Sequence, residues 1–198
     1  MFNVVTQFEN VLGEYFGSRY AVSTDCCTHA IELCLRLNPP KQVICPTRTY
    51  VSIPMTLLKL GIDFSWEEIN WREYYSLKNT NIIDAAVLWR ENSYISGTMM
   101  CVSFQFRKHL NLGRGGIILL DDQEAYRKLL KMVYDGRERD RPWAEQNIDV
   151  LGYHYYMTPE TAEIGLEKFQ KVKNITPKEW SYLDYPDLST LKVFENLC

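Results

Sequence analysis

The chain has no run approaching the about 20 apolar side chains that a membrane-crossing helix needs. Its opening residues, Met-Phe-Asn-Val-Val-Thr-Gln-Phe-Glu, lack a basic region followed by an apolar stretch, so no secretory leader is expected. Histidine is scarce: His29, His109 and His154 stand singly. None of the six cysteines forms a C-x-x-C pair, and the adjacency of Cys26 and Cys27 is poor geometry for a disulfide between them. Zinc-ligand spacing is therefore missing and no metal is expected. These absences imply reduced thiols in a cytoplasmic protein, most of them buried as small hydrophobes. Neither sign of charge dominates, with 22 basic and 25 acidic residues and a net charge of −3. That excludes a general nucleic-acid-coating role. Arg137, Arg139 and Arg141 cluster, but Glu138 and Asp140 interleave them, the pattern of a solvated loop rather than a phosphate track. Neither a nucleic-acid nor a membrane partner is expected. Internal repeats and low-complexity segments are also missing.

What is present is an ordinary globular composition, 46% hydrophobic and 13% aromatic. One domain is the default for this length, and two small ones are the alternative. Val4, Val5, Phe8, Val11, Leu12, Tyr15 and Phe16 recur at helical spacing over residues 3–16, and Gly17 is a natural stop. Further helices are expected over Thr28–Leu37, ended by Asn38-Pro39-Pro40, and over Val51–Leu60, closed by Gly61. Two more are expected over Asp122–Tyr134 and from Thr158-Pro159 to about Lys171, with Thr158 as N-cap. Apolar runs at Gln42–Cys45, Asp63–Trp66, Asn81–Ala86, Met99–Phe106 and Gly116–Asp122 read as strands. Residues 69–81 and the charged loop 135–150 carry no clear period. The tail from Asn174 is polar, with one weak helix near Pro177–Leu183. Helices alternating with short apolar strands argue an α/β layered fold. Such sheets bind ligands beyond the carboxyl ends of their strands, where Asp84, Ser103 and Lys108 stand.

Five segments then occur in one order. They are Tyr20-Ala-Val-Ser-Thr-Asp-Cys-Cys-Thr-His-Ala-Ile, Ile44-Cys-Pro-Thr-Arg-Thr-Tyr-Val-Ser, Ile83-Asp-Ala-Ala, Ser103-Phe-Gln-Phe-Arg-Lys-His-Leu-Asn-Leu-Gly-Arg-Gly-Gly and Leu151-Gly-Tyr-His-Tyr-Tyr-Met-Thr. Each is weak alone. In this order they resemble the DegT/DnrJ/EryC1/StrS family of sugar aminotransferases, over roughly residues 5–170. The resemblance implies a three-layer, type I aminotransferase-like large domain with a reduced, mostly parallel sheet, and pyridoxal 5′-phosphate (PLP) as cofactor. Residues 1–172 would be the PLP-binding core and residues 173–198 a C-terminal remnant or tail.

The same resemblance assigns roles that physical chemistry can weigh. Cys27, Thr28 and His29 open a helix whose free amides and positive end suit a phosphate. Tyr50 offers a flat π-face to the pyridine ring. Asp84, beside the ring nitrogen, would keep that nitrogen protonated and sharpen the ring as an electron sink. Ser103 would be a second phosphate ligand. Lys108 stands where the family's Schiff-base lysine stands, as aldimine anchor and proton shuttle. Its amine must be neutral to attack, and the flanking Arg107 and His109 push that way. His154 holds the position from which the family reaches the phosphate across a subunit interface.

Several positions depart from the family pattern. Cys27 replaces a glycine, His154 an asparagine, Tyr156 an arginine, Val87 a Gln or His, and Arg114 an acid between glycines. The chain is about half the expected length, and the segment between Asn70 and Asn81 is too short for the elements that normally precede the aspartate. The resemblance implies transfer of an amino group from glutamate or glutamine to a keto-sugar, which could be nucleotide-linked. A homodimer with a shared site is expected, with Trp143, Tyr153, Tyr155 and Tyr156 exposed at its interface. The competing expectation is a non-catalytic relative, PLP-binding or empty, that serves a partner protein.

Overall fold

A computed structural model of the chain describes residues 2–195; Cys198 lies outside them. Five helices form: α1 (Asn3–Phe16), α2 (Cys27–Leu37), α3 (Ser52–Leu60), α4 (Gln123–Met132) and α5 (Pro159–Val172). Their ends follow from local chemistry. Gly17 closes α1 at φ 80°, a left-handed conformation that glycine adopts without a Cβ penalty. Asp122 caps α4 by accepting from the amides of Glu124 and Ala125, and Thr158 caps α5 ahead of Pro159.

Seven strands follow in chain order: β1 (Tyr20–Thr24), β2 (Gln42–Pro46), β3 (Asp63–Glu67), β4 (Tyr75–Ser76), β5 (Ile82–Asp84), β6 (Met99–Ser103) and β7 (Gly116–Leu120). β2 and β3 pair in parallel as a small separate sheet. The main sheet runs β1-β7-β6-β5-β4. Strands β1, β5 and β6 share a direction that β4 and β7 oppose, so every neighbouring pair except β5/β6 is antiparallel. The expectation of a mostly parallel sheet is corrected to this mixed one. The reason lies in the connections. Residues 104–115 join β6 to β7 without a helix, and Asn79, at φ 68°, turns β4 back toward β5. A parallel return needs a crossover, usually helical.

The central strands are covered on both faces. Ile118 and Leu120 of β7, Met99 and Cys101 of β6 and Ile82 of β5 share one core with α2, α3 and α4. The alternate residues Ile117, Leu119, Met100, Val102 and Ile83 share the other with α1 and α5. A strand buried on both faces needs an apolar side chain at every position, which is why these segments read as unbroken runs. The result is three layers, as expected. No described helix is long and apolar enough to cross a membrane.

Two local readings change. The 135–150 loop is not simply solvated: Arg139 turns inward and grips the buried Glu9 of α1 with two bonds of 2.9 and 3.0 Å. Glu9 in turn accepts from the amide and hydroxyl of Ser23 in β1, so the buried acid is fully answered. Of the aromatics expected at an exposed interface, only Trp143 is exposed; Tyr153, Tyr155 and Tyr156 are half-buried and stacked or edge-packed on neighbours.

The register gathers one end of the sheet. Thr24 and Ser103 both pair with Gly116, and Tyr75 pairs with Asp84. The strand ends that carry residues 24, 75, 84, 103 and 116 therefore converge. Gly116 makes this possible, because a Cβ there would lie 2.5 Å from the backbone nitrogen of Cys27 at the start of α2. Gly116→Ala is expected to destabilise the fold by about 1–3 kcal/mol, as overpacking does. Thermal unfolding of the variant checks this; an unchanged melting temperature would show that α2 does not press on β7.

Candidate active site

At this converging end lies a cleft of about 710 Å³, within the size range of small-molecule sites. Six of the residues expected from the sequence line it: Cys27, Thr28, Tyr50, Asp84, Ser103 and Lys108. Their chain positions span some eighty residues, and the sheet register is what unites them.

Asp84 ends β5 and is buried. One carboxylate oxygen accepts from the Tyr75 hydroxyl at 2.5 Å and the other from the Ala86 amide at 3.0 Å. Burial raises its carboxyl above the ordinary range, and these two bonds together with the Lys108 charge oppose that. A carboxylate has about four acceptor positions, so Asp84 keeps capacity for one more donor. Tyr75 is itself steadied by a short hydrogen bond with Thr49, and burial raises its phenol well above the usual value.

Lys108 hangs on the β6–β7 connection and is half-buried. Burial lowers its amine below the ordinary lysine range; Arg107 and Lys178 add to that, while Cys27 and Asp84 oppose it. Its Nζ lies 5.1 Å from the ring centre of Trp180. Ser103, at the end of β6, is buried and accepts from the Gln105 amide at 3.3 Å. No side chain caps α2, so the amides of its first turn keep no side-chain partner at the cleft wall. Thr28 Oγ1 meets Ser52 Oγ of α3 at 2.8 Å, which brings two helix N-termini and two hydroxyls together. Burial pushes the Cys27 thiol well up, so it stays a neutral hydrophobe. Tyr50 is exposed at the mouth rather than packed in the core, and so is Phe106, the last residue of the expected strand Met99–Phe106; β6 stops at Ser103.

The two histidines fall outside the cleft wall. His29 Nδ1 bonds Asp25 at 2.6 Å and its ring stacks on Tyr155 with centroids 3.6 Å apart. Burial works against its charge, but the Asp25 carboxylate and Cys26 outweigh that and raise it to about 9. Arg114 also holds Asp25, at 2.7 Å. Asp25, Cys26 and His29 lie close enough to share a metal ion. With an imidazolium and a guanidinium already on the one carboxylate, the charge balance there is an ion-pair cluster rather than a cation site. His154 is on the outer surface, paired with Asp135 at 2.9 Å.

Sequence reasoning missed much of the remaining wall. Tyr75 sits on the unassigned 69–81 segment; the asparagines near position 79 were an available hairpin signal. Trp180, Tyr185 and Leu188 come from the expected tail, whose weak helix over Pro177–Leu183 reduces to one short turn at Tyr182–Asp184. This segment is a strap over the cleft. The Glu73 amide donates to Trp180 O, Tyr182 N to Trp71 O, Leu188 N to Thr47 O, and Arg48 to Tyr185 O. Nothing local in the sequence encodes contacts between segments more than a hundred residues apart.

A layered α/β fold thus brings a lysine, a buried carboxylate and an uncapped helix end together in one cleft. Solved structures agree on the fold. AtS13 from Actinomadura melliaura is 21% identical with a TM-score of 0.75, over 85% of this chain and 60% of that one. The sugar aminotransferase CalS13 from Micromonospora echinospora is 19% identical with a TM-score of 0.72, over 86% and 61%. PseC from Helicobacter pylori, an aminotransferase involved in the biosynthesis of pseudoaminic acid, is 16% identical with a TM-score of 0.72, over 86% and 58%. The sequence matches the DegT/DnrJ/EryC1/StrS aminotransferase family over residues 1–85 and 94–184, and the chain belongs to that family. It spans about 60% of the length of these solved structures. No curated protein matches it.

The His29 pair makes a pH signature. Its folded value, about 9, exceeds the unfolded value, 6.5, so its stabilisation is fully present below about pH 6.5 and is lost as pH rises through about 9. Wild-type melting temperature should fall from pH 6.5 to about 9.5 more than that of His29→Gln. Parallel slopes for the two proteins would mean that His29 is not held as the cation.

Proposed function

We propose that this chain is the cofactor-binding core of a PLP-dependent aminotransferase that moves an amino group from glutamate or glutamine to a keto-sugar. The observation that carries the reading is the meeting of Lys108, Asp84, Ser103 and Thr28 in one cleft. Those residues fit PLP by their chemistry. Asp84 retains acceptor capacity for a pyridine N–H, and the uncapped start of α2 with nearby hydroxyls suits a phosphate. When bound, PLP supplies an electron sink for the carbon under reaction.

The chain's own residues do the rest. The first-turn amides of α2, the Thr28 hydroxyl and the Ser103 hydroxyl take the phosphate. Asp84 accepts the ring N–H, and Tyr75 favours its charged form by donating to it. Tyr50 faces the ring. Lys108 is the attaching amine, and burial favours the neutral form that attacks. With PLP bound, the same amine would be the base that takes a proton from the donor's α-carbon and the acid that delivers it to the cofactor carbon beyond the nitrogen. His29, in the first turn of α2, contributes as a positive charge rather than by direct contact. His154, on the outer surface, reaches a cleft only from a second copy, so a homodimer with a shared site belongs to this reading. The family and the chain's likeness to the sugar aminotransferase CalS13 support a sugar as acceptor.

The alternative is a relative that binds PLP, or nothing, on behalf of a partner. Cys27 favours it: a buried thiol stands in the first turn of α2, where the family has a glycine.

Added PLP should give a visible absorption band that Lys108→Ala loses, and borohydride reduction followed by peptide mapping should find the pyridoxyl group on Lys108. Neither band nor adduct would sink the enzyme reading. Tyr75→Phe should weaken PLP binding more at about pH 6 than at pH 8, because Asp84 loses a bond that favours its ionised form. Equal weakening at both values would count against a charged Asp84 at the ring nitrogen.

A further inference from the structure

Lys108 is half-buried, yet its amine has no hydrogen-bond or ion-pair partner among the described residues. What it meets instead is a ring: Nζ lies 5.1 Å from the centre of Trp180. Trp180 belongs to the C-terminal strap, and neighbouring contacts fix its place. The Glu73 amide donates to its carbonyl at 3.0 Å, Ser181 bridges to Arg72, and the Tyr185 ring lies 6.3 Å away. The same ring carries a second ammonium at closer range, Lys178 at 3.7 Å. Lys178 is in turn held by Asp184 at 3.0 Å. Asp184 is itself fixed, because it accepts from the Ser181 amide at 2.9 Å in a capping box around the short turn Tyr182–Asp184. Local contacts within the strap thus set a second lysine beside Lys108.

We propose that Lys178 and Trp180 are positioning residues for Lys108, keeping its amine ready to attack a carbonyl. The inference rests on the aminotransferase reading and deepens it. Trp180 acts in two opposed ways. Its bulk excludes water from the amine, which disfavours the ammonium, and its π-face attracts a cation. Lys178 decides between them. It already occupies the ring at the shorter distance, so a charged Lys108 meets a like charge there. A neutral Lys108 meets only an apolar cover.

The other groups around the amine do not restore its charge. Arg107, on the same loop, is exposed and repels it. His109, next in the chain, is bonded to the Val172 carbonyl at 2.9 Å. Burial keeps Cys27, in the first turn of α2, a neutral thiol, and it keeps the Tyr185 phenol of the strap neutral as well. Asp84, at the end of β5, favours the ammonium, but it is already answered by Tyr75 and Ala86. Burial has the largest influence on Lys108, and it lowers the amine.

The test uses the full chain without cofactor. Formaldehyde and borohydride convert its lysines to carbon-13 dimethyl-lysines, which remain titratable cations, and NMR follows each methyl signal from about pH 6 to about 10.5. Lys108→Arg removes, and so assigns, the Lys108 signal. We expect its midpoint to lie below those of the exposed lysines. Lys178→Met keeps the aliphatic packing on Trp180 and should raise the midpoint by about half a pH unit. Lys178→Arg keeps the charge and should leave the midpoint in place. Trp180→Ala should raise it by admitting water. The other lysine signals report that each variant is folded. In unmethylated chain with PLP at about pH 8, the rate of borohydride trapping on Lys108 should fall about threefold in Lys178→Met and recover in Lys178→Arg. An unchanged midpoint in Lys178→Met or in Trp180→Ala overturns the proposal, as does an equal rise in Lys178→Arg. Midpoints that move as expected in a chain that forms no PLP adduct overturn the aminotransferase reading instead. An adduct on Lys108 with unmoved midpoints overturns the positioning role alone.

Discussion

The strands β5, β6 and β7 have no water on either face, and the rest of the molecule follows from that constraint. Every side chain along them must be apolar, so polar chemistry can stand only at their ends. Antiparallel pairing of β7 with both β1 and β6 then brings the end of β1, the end of β6 and the start of β7 to one edge. The start of α2 follows directly from β1 and is pressed there against Gly116. The cleft is what this edge leaves open.

Within the cleft, polarity is concentrated in a few well-answered groups. Asp84 is the costliest, a carboxylate at the end of a buried strand. Its two hydrogen bonds, and the Thr49 hydroxyl behind Tyr75, form a short chain that fixes its orientation. Lys108 opposes it with a charge that burial weakens. Both groups are displaced by burial toward their neutral forms. At Lys108 that displacement favours the neutral, nucleophilic amine, while at Asp84 the Tyr75 bond opposes it.

The C-terminal segment changes how the cleft is understood. Residues 177–188 have little regular structure, yet four hydrogen bonds tie their backbone to the Thr47–Glu73 region. Trp180 and Tyr185 therefore act as fixed wall, and Lys178 brings a charge to within reach of Lys108. A segment with a polar, weakly periodic sequence contributes as much to the site as any helix.

Much of the fold was legible. The helical spacing in α1, the cap at Thr158-Pro159, the stops at Gly17 and Gly61 and the unbroken runs of β6 and β7 are local signals, and local physics set them. Asp84, Ser103 and Lys108 were legible as residues because strand ends and the ordered motifs mark them. Strand direction was not, because it depends on how each connection travels and not on the strand's own residues. Tyr75 was missed because its partner lies across a hairpin, Arg139 because its partner Glu9 is 130 positions away, and the strap because its contacts are tertiary. By itself the sequence determined the five helices and most of the strands, β4 excepted, and marked Asp84, Ser103 and Lys108 as candidates, since short-range sterics and periodic burial decide those. Only the tertiary structure decided which of those residues meet, since that depends on register, chain path and the packing of distant segments.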